Sequence, residues 1–387
     1  MVKMSGGMFL ALLALSQMQT ETAYASESVV ANEISAGVFC DSVPGLPEDT
    51  LPVQTASAEA IFGFARSQYD IPYHWSKSIP CNVPDGAGQY TLVYQSADNT
   101  IAKVNQKGKV TGVSEGTTII TVTTVEDPTF VASYEAVVKK EAAGAYEENG
   151  KIYCIDENGE RMIGYGKANG AYYYTEKNSY AITEKWKNVK VGNNTYKLYF
   201  GKNGKQKQDV SKLIGEQASY RLEVDVKKNM VIVYAKDEKN EKRGYCIPVK
   251  AMVCSCGIKG HPTITGTYSY LRQAGKWHPL YYGTYGKYCT RISGPYLFHS
   301  VVYTRNGDSC SLDADEYEKL GSLASHGCIR LSVKDAKWIY RRASKCSVRL
   351  YRETVSLPLQ KPKGKKAVRM KNGKAYDPTD TDVKEDA

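Results

Sequence analysis

The run Ser325-His326-Gly327-Cys328-Ile329-Arg330-Leu331 sets a thiol between a glycine and a short aliphatic stretch. A thiol attacks an amide carbonyl well only as its thiolate, so a cysteine nucleophile needs a base and an electropositive setting. Ser332-Val333-Lys334-Asp335 reads as a helix start, with Ser332 at the N-cap and an acidic residue three positions on. Ala336, Ile339, Tyr340 and Ala343 then follow at helical spacing. Cys328 is therefore expected a few residues upstream of a helix, near its positive pole. Two histidines are candidates for the base. His326 lies two residues before Cys328, so in an extended stretch both side chains point the same way. His299, after the apolar run Tyr296-Leu297-Phe298, could approach from an adjacent strand. The backbone N–H groups of Gly327 and Cys328 are natural oxyanion donors, because glycine lets the chain come close. Arg330 could lock the loop or hold a carboxylate bidentately. Ser325 could shape the turn through local hydrogen bonds.

A lone cysteine is more often a buried small residue or half of a disulfide than a nucleophile. The whole string changes that reading. Ser-His-Gly-Cys followed by an aliphatic residue and Arg resembles the signature of the L,D-transpeptidase catalytic domain, the YkuD-type family. The likeness extends to His299-Ser300 and to His261-Pro262-Thr263-Ile264-Thr265-Gly266-Thr267-Tyr268, similar to that family's Thr-Pro-x-Gly-x-Tyr/Phe strand. The resemblance implies Cys328 as nucleophile and His299 as base, oriented by the Ser300 backbone carbonyl. Ser325, His326, Gly327 and Arg330 become supporting motif residues. It also implies acyl transfer between peptidoglycan stem peptides, donor and acceptor. Cys328 attacks the third residue's carbonyl in a tetrapeptide, the terminal D-alanine leaves, and an amine of a neighbouring stem takes the acyl group in a 3→3 cross-link. If water takes it instead, the protein is an L,D-carboxypeptidase. A non-catalytic wall-binding or adhesion protein is the reading from another class, and the intact His299 and Cys328 argue against it. No cofactor and no metal are required.

The remaining chemistry-bearing residues read more blandly. His261 bounds a strand, His278 lies in a segment (276–279) that could cover the cleft, and His74 has no partner in view. A zinc site from Cys254, Cys256 and two histidines fits no compact ligand spacing. With ten cysteines and Cys328 free, at least one more is unpaired within a monomer. A reducing habitat would leave most as thiols, and that is the expectation.

Several elements must carry these residues, and the expected fold is mostly β. Lys3, the apolar run Met8 to Leu15 and the exit Ala23-Tyr24-Ala25 read as a signal peptide over 1–25, too short in its apolar core to be a stable membrane span. The protein is then secreted and cell wall-associated. Residues 26–80 carry no assignment. Short alternating strands over 81–140, with Ser96-Ala97-Asp98-Asn99 and Gly108-Lys109-Val110-Thr111-Gly112-Val113, resemble the bacterial immunoglobulin-like domain, a β-sandwich spacer or adhesion module. Residues 146–210 read as aromatic β-hairpin repeats closed by Asn-Gly. They look like cell-wall-binding repeats, which implies cell-wall polymers as partners. Those repeats carry Trp in the hairpin, whereas this stretch has only Trp186.

The catalytic domain is expected over 219–352. It opens with a hairpin of Arg221–Val226 and Asn229–Tyr234, and a short helix follows the nucleophile. A net charge of +10 suits weak retention on an anionic wall. The lysine-rich stretch after 353 reads as a charged, poorly ordered tail to 387. Export and the lack of an aromatic-interleaved groove make nucleic acid an unexpected partner.

Overall fold

The computed structural model describes residues 62–84 and 90–383. The expected leader and the first part of the unassigned stretch lie outside them.

Burial of every second residue from Thr118 to Thr124 marks Gly116–Thr124 as a strand with one face on a core. It pairs with Val131–Lys139 and Leu92–Ser96, and Gln68–Pro72 completes a four-stranded sheet. A second sheet joins Ser76–Ser78, Lys109–Gly112 and Ala102–Val104. Ile71, Val110, Ile120, Tyr134 and Val138 fill the space between them. This module therefore starts before residue 81. Gln68–Pro72 enters it by parallel pairing with a strand far along the chain, which leaves no local trace in so short and polar a segment.

Three antiparallel hairpins follow: Gly144–Glu148 with Lys151–Ile155, Gly164–Ala168 with Ala171–Thr175, and Lys185–Val191 with Asn194–Phe200. Asn149-Gly150 and Asn169-Gly170 both take positive φ, as a two-residue hairpin turn demands. The third hairpin departs from the expectation: it turns at Gly192-Asn193, and Asn203-Gly204 belongs to the following loop. The hairpins' aromatic faces already hold the chain's own cations. The Arg161 guanidinium lies 3.8 Å from the Tyr153 ring centre, and Lys187 lies 4.7 Å from that of Tyr174.

The rest is built on one nine-stranded sheet. It contains the hairpin of Tyr220–Asp225 and Met230–Ala235, just to one side of its middle strand. Every residue of the second strand is buried, because its two faces serve two cores. Val231, Val233 and Ala235 face the larger core, while Met230, Ile232 and Tyr234 meet Tyr196, Leu198 and Phe200 of the third hairpin. Outward from Met230–Ala235 come Ile247–Ser255, then Ile329–Leu331, Tyr296–Ser300, Tyr285–Ser293 and Arg272–Pro279 at the edge. The helix Val333–Arg341 buries Val333, Ala336 and Ile339 against this sheet, and its Ser332 cap accepts from the Asp335 N–H as expected. Among the described residues no helix is long and apolar enough to cross a membrane.

The charged tail is the largest correction. Residues 353–383 wrap the sheet: Leu359 is buried, Val368–Arg369 pairs with Ala375–Tyr376, and Asp377 is fully buried. The lysines stay mostly at the surface, but the acidic end finds buried donors. Asp380 pairs with Lys287 at 2.6 Å, and Asp377 accepts from the Val333 N–H at 2.6 Å. Charge alone reads as solvated; partners from distant strands cannot be read locally.

Candidate active site

The strand Ile329–Leu331 begins one residue after Cys328 and runs parallel to Tyr296–Ser300, with Phe298 beside Ile329 and His299 beside Arg330. In that register Cys328 lies next to Leu297, and His299 stands two residues further along the same face. The two Cα atoms are then about 8 Å apart, within reach of facing side chains. Both residues line one cleft of about 230 Å³, together with Tyr282, Asp313, Glu316 and Arg330. A second hollow of about 340 Å³ meets the first at Cys328 and is walled by His261, Tyr281, Tyr282, Tyr296 and His326.

The turn ahead of the cysteine is stapled by Ser325. Its hydroxyl donates to the Cys328 carbonyl at 2.5 Å and accepts from the Gly327 N–H at 3.1 Å. Gly327 has φ 112°, and a Cβ there would stand 2.8 Å from Tyr296 Cε1, so only glycine fits. The same staple corrects one expectation. The Gly327 N–H, expected to be open to an oxyanion, already donates to Ser325 Oγ.

His299 is buried, and its Nδ1 lies 2.5 Å from the Ser300 carbonyl oxygen. A carbonyl only accepts, so Nδ1 carries the proton and Nε2 keeps the lone pair. Burial, reinforced by the Arg330 guanidinium, drives its pKa down to about 3 against the Ser300 hydrogen bond. Cys328 is shifted the other way. Burial pushes its thiol above the ordinary value, against smaller pulls from the Leu297 backbone, Arg330 and Arg291. The resting pair is thus a neutral thiol, 3.7 Å from the Pro295 carbonyl, and a neutral imidazole.

The helix pole expected beside Cys328 is not there. The intervening strand puts Ser332 roughly 13 Å away, beyond the first-turn reach of a helix dipole. Arg330 is nearly buried and paired with Glu316, which also holds Lys319 at 2.5 Å. That ion pair locks the strand rather than leaving a free fork. His326 is exposed, its ring 4.9 Å from that of His261 and 5.4 Å from that of Tyr282. His278 sits on the edge strand Arg272–Pro279, and the turn after it, Tyr281–Gly283, borders the cleft. His74 does have a partner, Glu160 at 2.9 Å.

Sequence reasoning missed Glu316, Asp313 and Tyr282. The first two had a signal: Asp313-Ala314-Asp315-Glu316 is an N-cap with an acidic first turn, and the Asp313 carboxylate does cap Ala314–Glu318. Tyr282 had none, being an exposed residue at φ 59° in an irregular turn. The nine described cysteines are all free, with Cys254 and Cys256 sulfurs 3.9 Å apart. Among the described residues no three His, Cys, Asp or Glu side chains gather as a metal site.

Comparison with known proteins gives two domain matches. Residues 219–366 match the L,D-transpeptidase catalytic domain, and residues 83–132 match the bacterial Ig-like domain (group 2). The putative L,D-transpeptidase YciB of Bacillus subtilis (strain 168) is 53% identical over 47 residues, 12% of this chain. The chain spans only 23% of that relative's length. A fused Zn-dependent amidase/peptidase/peptidoglycan-binding domain-containing protein from Clostridium acetobutylicum ATCC 824 aligns at 25% identity over 36% of this chain and 55% of its own, with a TM-score of 0.25. An L,D-transpeptidase from Mycobacterium smegmatis aligns at 11% identity over 74% of this chain and 95% of its own, with a TM-score of 0.26. On the strength of the two domain matches, this chain carries a bacterial immunoglobulin-like domain and, over residues 219–366, an L,D-transpeptidase catalytic domain.

Proposed function

We propose that the protein is an exported, wall-associated L,D-transpeptidase that cross-links peptidoglycan stems through a thioester on Cys328. The observation that carries this reading is the shared cleft of Cys328 and His299, reached from adjacent parallel strands.

The neutral resting pair sets the order of events. As the Cys328 sulfur bonds to the carbonyl carbon of the donor's third residue, its proton passes to His299 Nε2. The oxyanion is met by the Cys328 N–H. When the intermediate collapses, the C–N bond to the terminal D-alanine breaks and the imidazolium protonates the leaving amine. Burial and Arg330 disfavour the charged ring, so the proton leaves readily. An acceptor amine then attacks the thioester, His299 takes the amine's proton, and that proton returns to sulfur as the thiol is released. Cys328 borders two hollows, which gives a donor stem one side and an acceptor the other. That second side favours transfer over hydrolysis.

The immunoglobulin-like module and hairpins act as a spacer in this reading. Two of their rings, Tyr153 and Tyr174, are occupied by the chain's own Arg161 and Lys187, which disfavours cationic wall ligands at those two. The test is mass spectrometry of the purified protein with a stem tetrapeptide, with and without an acceptor amine. A thioester and a dimer support transfer, a tripeptide alone means hydrolysis, and no change leaves a binding protein.

A further inference from the structure

We infer that the C-terminal segment is a positioning element for His299, acting through Asp380 and Asp382 on three consecutive residues of the strand Tyr285–Ser293. The inference rests on His299 being the base.

Gly286, Lys287 and Tyr288 each have an unusual setting. A Cβ on Gly286 would stand 3.1 Å from His299 Nδ1 and 2.8 Å from Cys289 Sγ, so this backbone is a wall against the imidazole. Lys287 is buried, and its ammonium reaches Asp380 Oδ2 at 2.6 Å, Ser309 Oγ at 2.8 Å and Asp382 Oδ2 at 3.2 Å. Tyr288 is buried at φ 54°, a region that costs a non-glycine residue strain, and its hydroxyl donates to Asp382 Oδ2 at 2.7 Å.

The neighbouring strand answers to the same residues. Pairing is regular at Thr290 with Phe298 and resumes at Tyr285 with Tyr303. Between them the Lys287 N–H donates to Ser300 Oγ at 2.8 Å, and that hydroxyl donates to the Val301 carbonyl at 2.7 Å. The sheet opens around Ser300, the residue whose carbonyl orients His299 Nδ1. Two carboxylates of the tail thus hold the cation and the strained tyrosine that keep this opening in shape. Without Asp380 a buried ammonium loses its closest counter-charge, and the strand must shift to relieve it.

The test uses the full chain and single-turnover acylation of Cys328 by a stem tetrapeptide. Asp380→Leu should slow acylation at saturating donor about tenfold or more, with donor KM within about twofold. Lys287→Met with Asp380→Leu removes both charges and should recover the native rate to within about threefold, since a buried pair can be replaced by apolar residues but not halved. Tyr288→Phe, which leaves Lys287 paired, should slow acylation about threefold and serves if Asp380→Leu does not fold. In nitrogen-15 spectra of histidine-labelled protein, the His299 Nδ1 proton should be sharp in the native and double variants and broadened in Asp380→Leu. A native rate in Tyr288→Phe, or a double variant no faster than Asp380→Leu, overturns the inference. His299→Asn separates the two claims: if it acylates at the native rate the base assignment itself fails, whatever the tail variants do.

Discussion

His299 and Arg330 stand beside each other across two parallel strands, with the guanidinium anchored on Glu316. The imidazole is buried away from water, and the neighbouring positive charge adds to the burial in disfavouring its protonated form. The candidate base is therefore held empty of its second proton, and close to a thiol that is also neutral.

Removing the guanidinium should be visible in that balance. Arg330→Gln takes away the second-largest influence on His299, so its pKa should rise toward the ordinary histidine value of about 6.5. Acylation measured at pH 5 should then fall relative to pH 7 more steeply than in the native chain. Parallel profiles for the two proteins would count against this coupling.

The neutral pair also sets the reactivity of the thiol. Because Cys328 is raised and His299 lowered, no thiolate–imidazolium plateau should exist between them. Alkylation of Cys328 by iodoacetamide should climb steadily into alkaline pH. A flat, fast rate from pH 5 to 8 would mean a preformed ion pair.

Stability should depend on pH through the same ring. The folded His299 resists protonation down to about pH 3, whereas the unfolded chain takes up the proton near 6.5. Its contribution is complete above pH 6.5 and is lost as pH falls toward 3. Between pH 6.5 and 5 the loss should be about 1.7 kcal/mol. Urea unfolding of native and His299→Asn protein at both pH values checks this; equal slopes would contradict it.

The turn before the cysteine should tolerate little. Gly327→Ala places a methyl group against Tyr296 at a left-handed φ and should cost about 1–3 kcal/mol while abolishing acylation. Ser325→Ala removes two hydrogen bonds of the staple and should cost about 1–2 kcal/mol. Thermal unfolding and thioester yield measure both effects.

Local patterns were the legible part of this fold. The hairpin Tyr220–Asp225/Met230–Ala235, the Ser332 cap and the Asn-Gly turns of the first two hairpins all rest on neighbours in the chain. Of the site, Cys328 stands out because it closes the run Ser325-His326-Gly327, and His299 because it follows the apolar run Tyr296-Leu297-Phe298. What stayed hidden depends on distant partners: Gln68–Pro72 joining Val131–Lys139, Glu316 reaching Arg330, and Asp380 reaching Lys287. The helix pole failed as an expectation because three residues after the cysteine extend into a strand, pairing with Ile247–Ser255 and Tyr296–Ser300. The bond from the Gly327 N–H to a serine two residues back was likewise not legible from the motif.

The central claim is that Cys328 is acylated with His299 accepting its proton, and intact-protein mass spectrometry over time with a stem tetrapeptide tests it most directly. The native chain should gain the acyl mass on Cys328, Cys328→Ala should gain none, and folded His299→Asn should react about a hundredfold or more slowly. No adduct on the native chain, or equal rates in native and His299→Asn protein, would contradict the account.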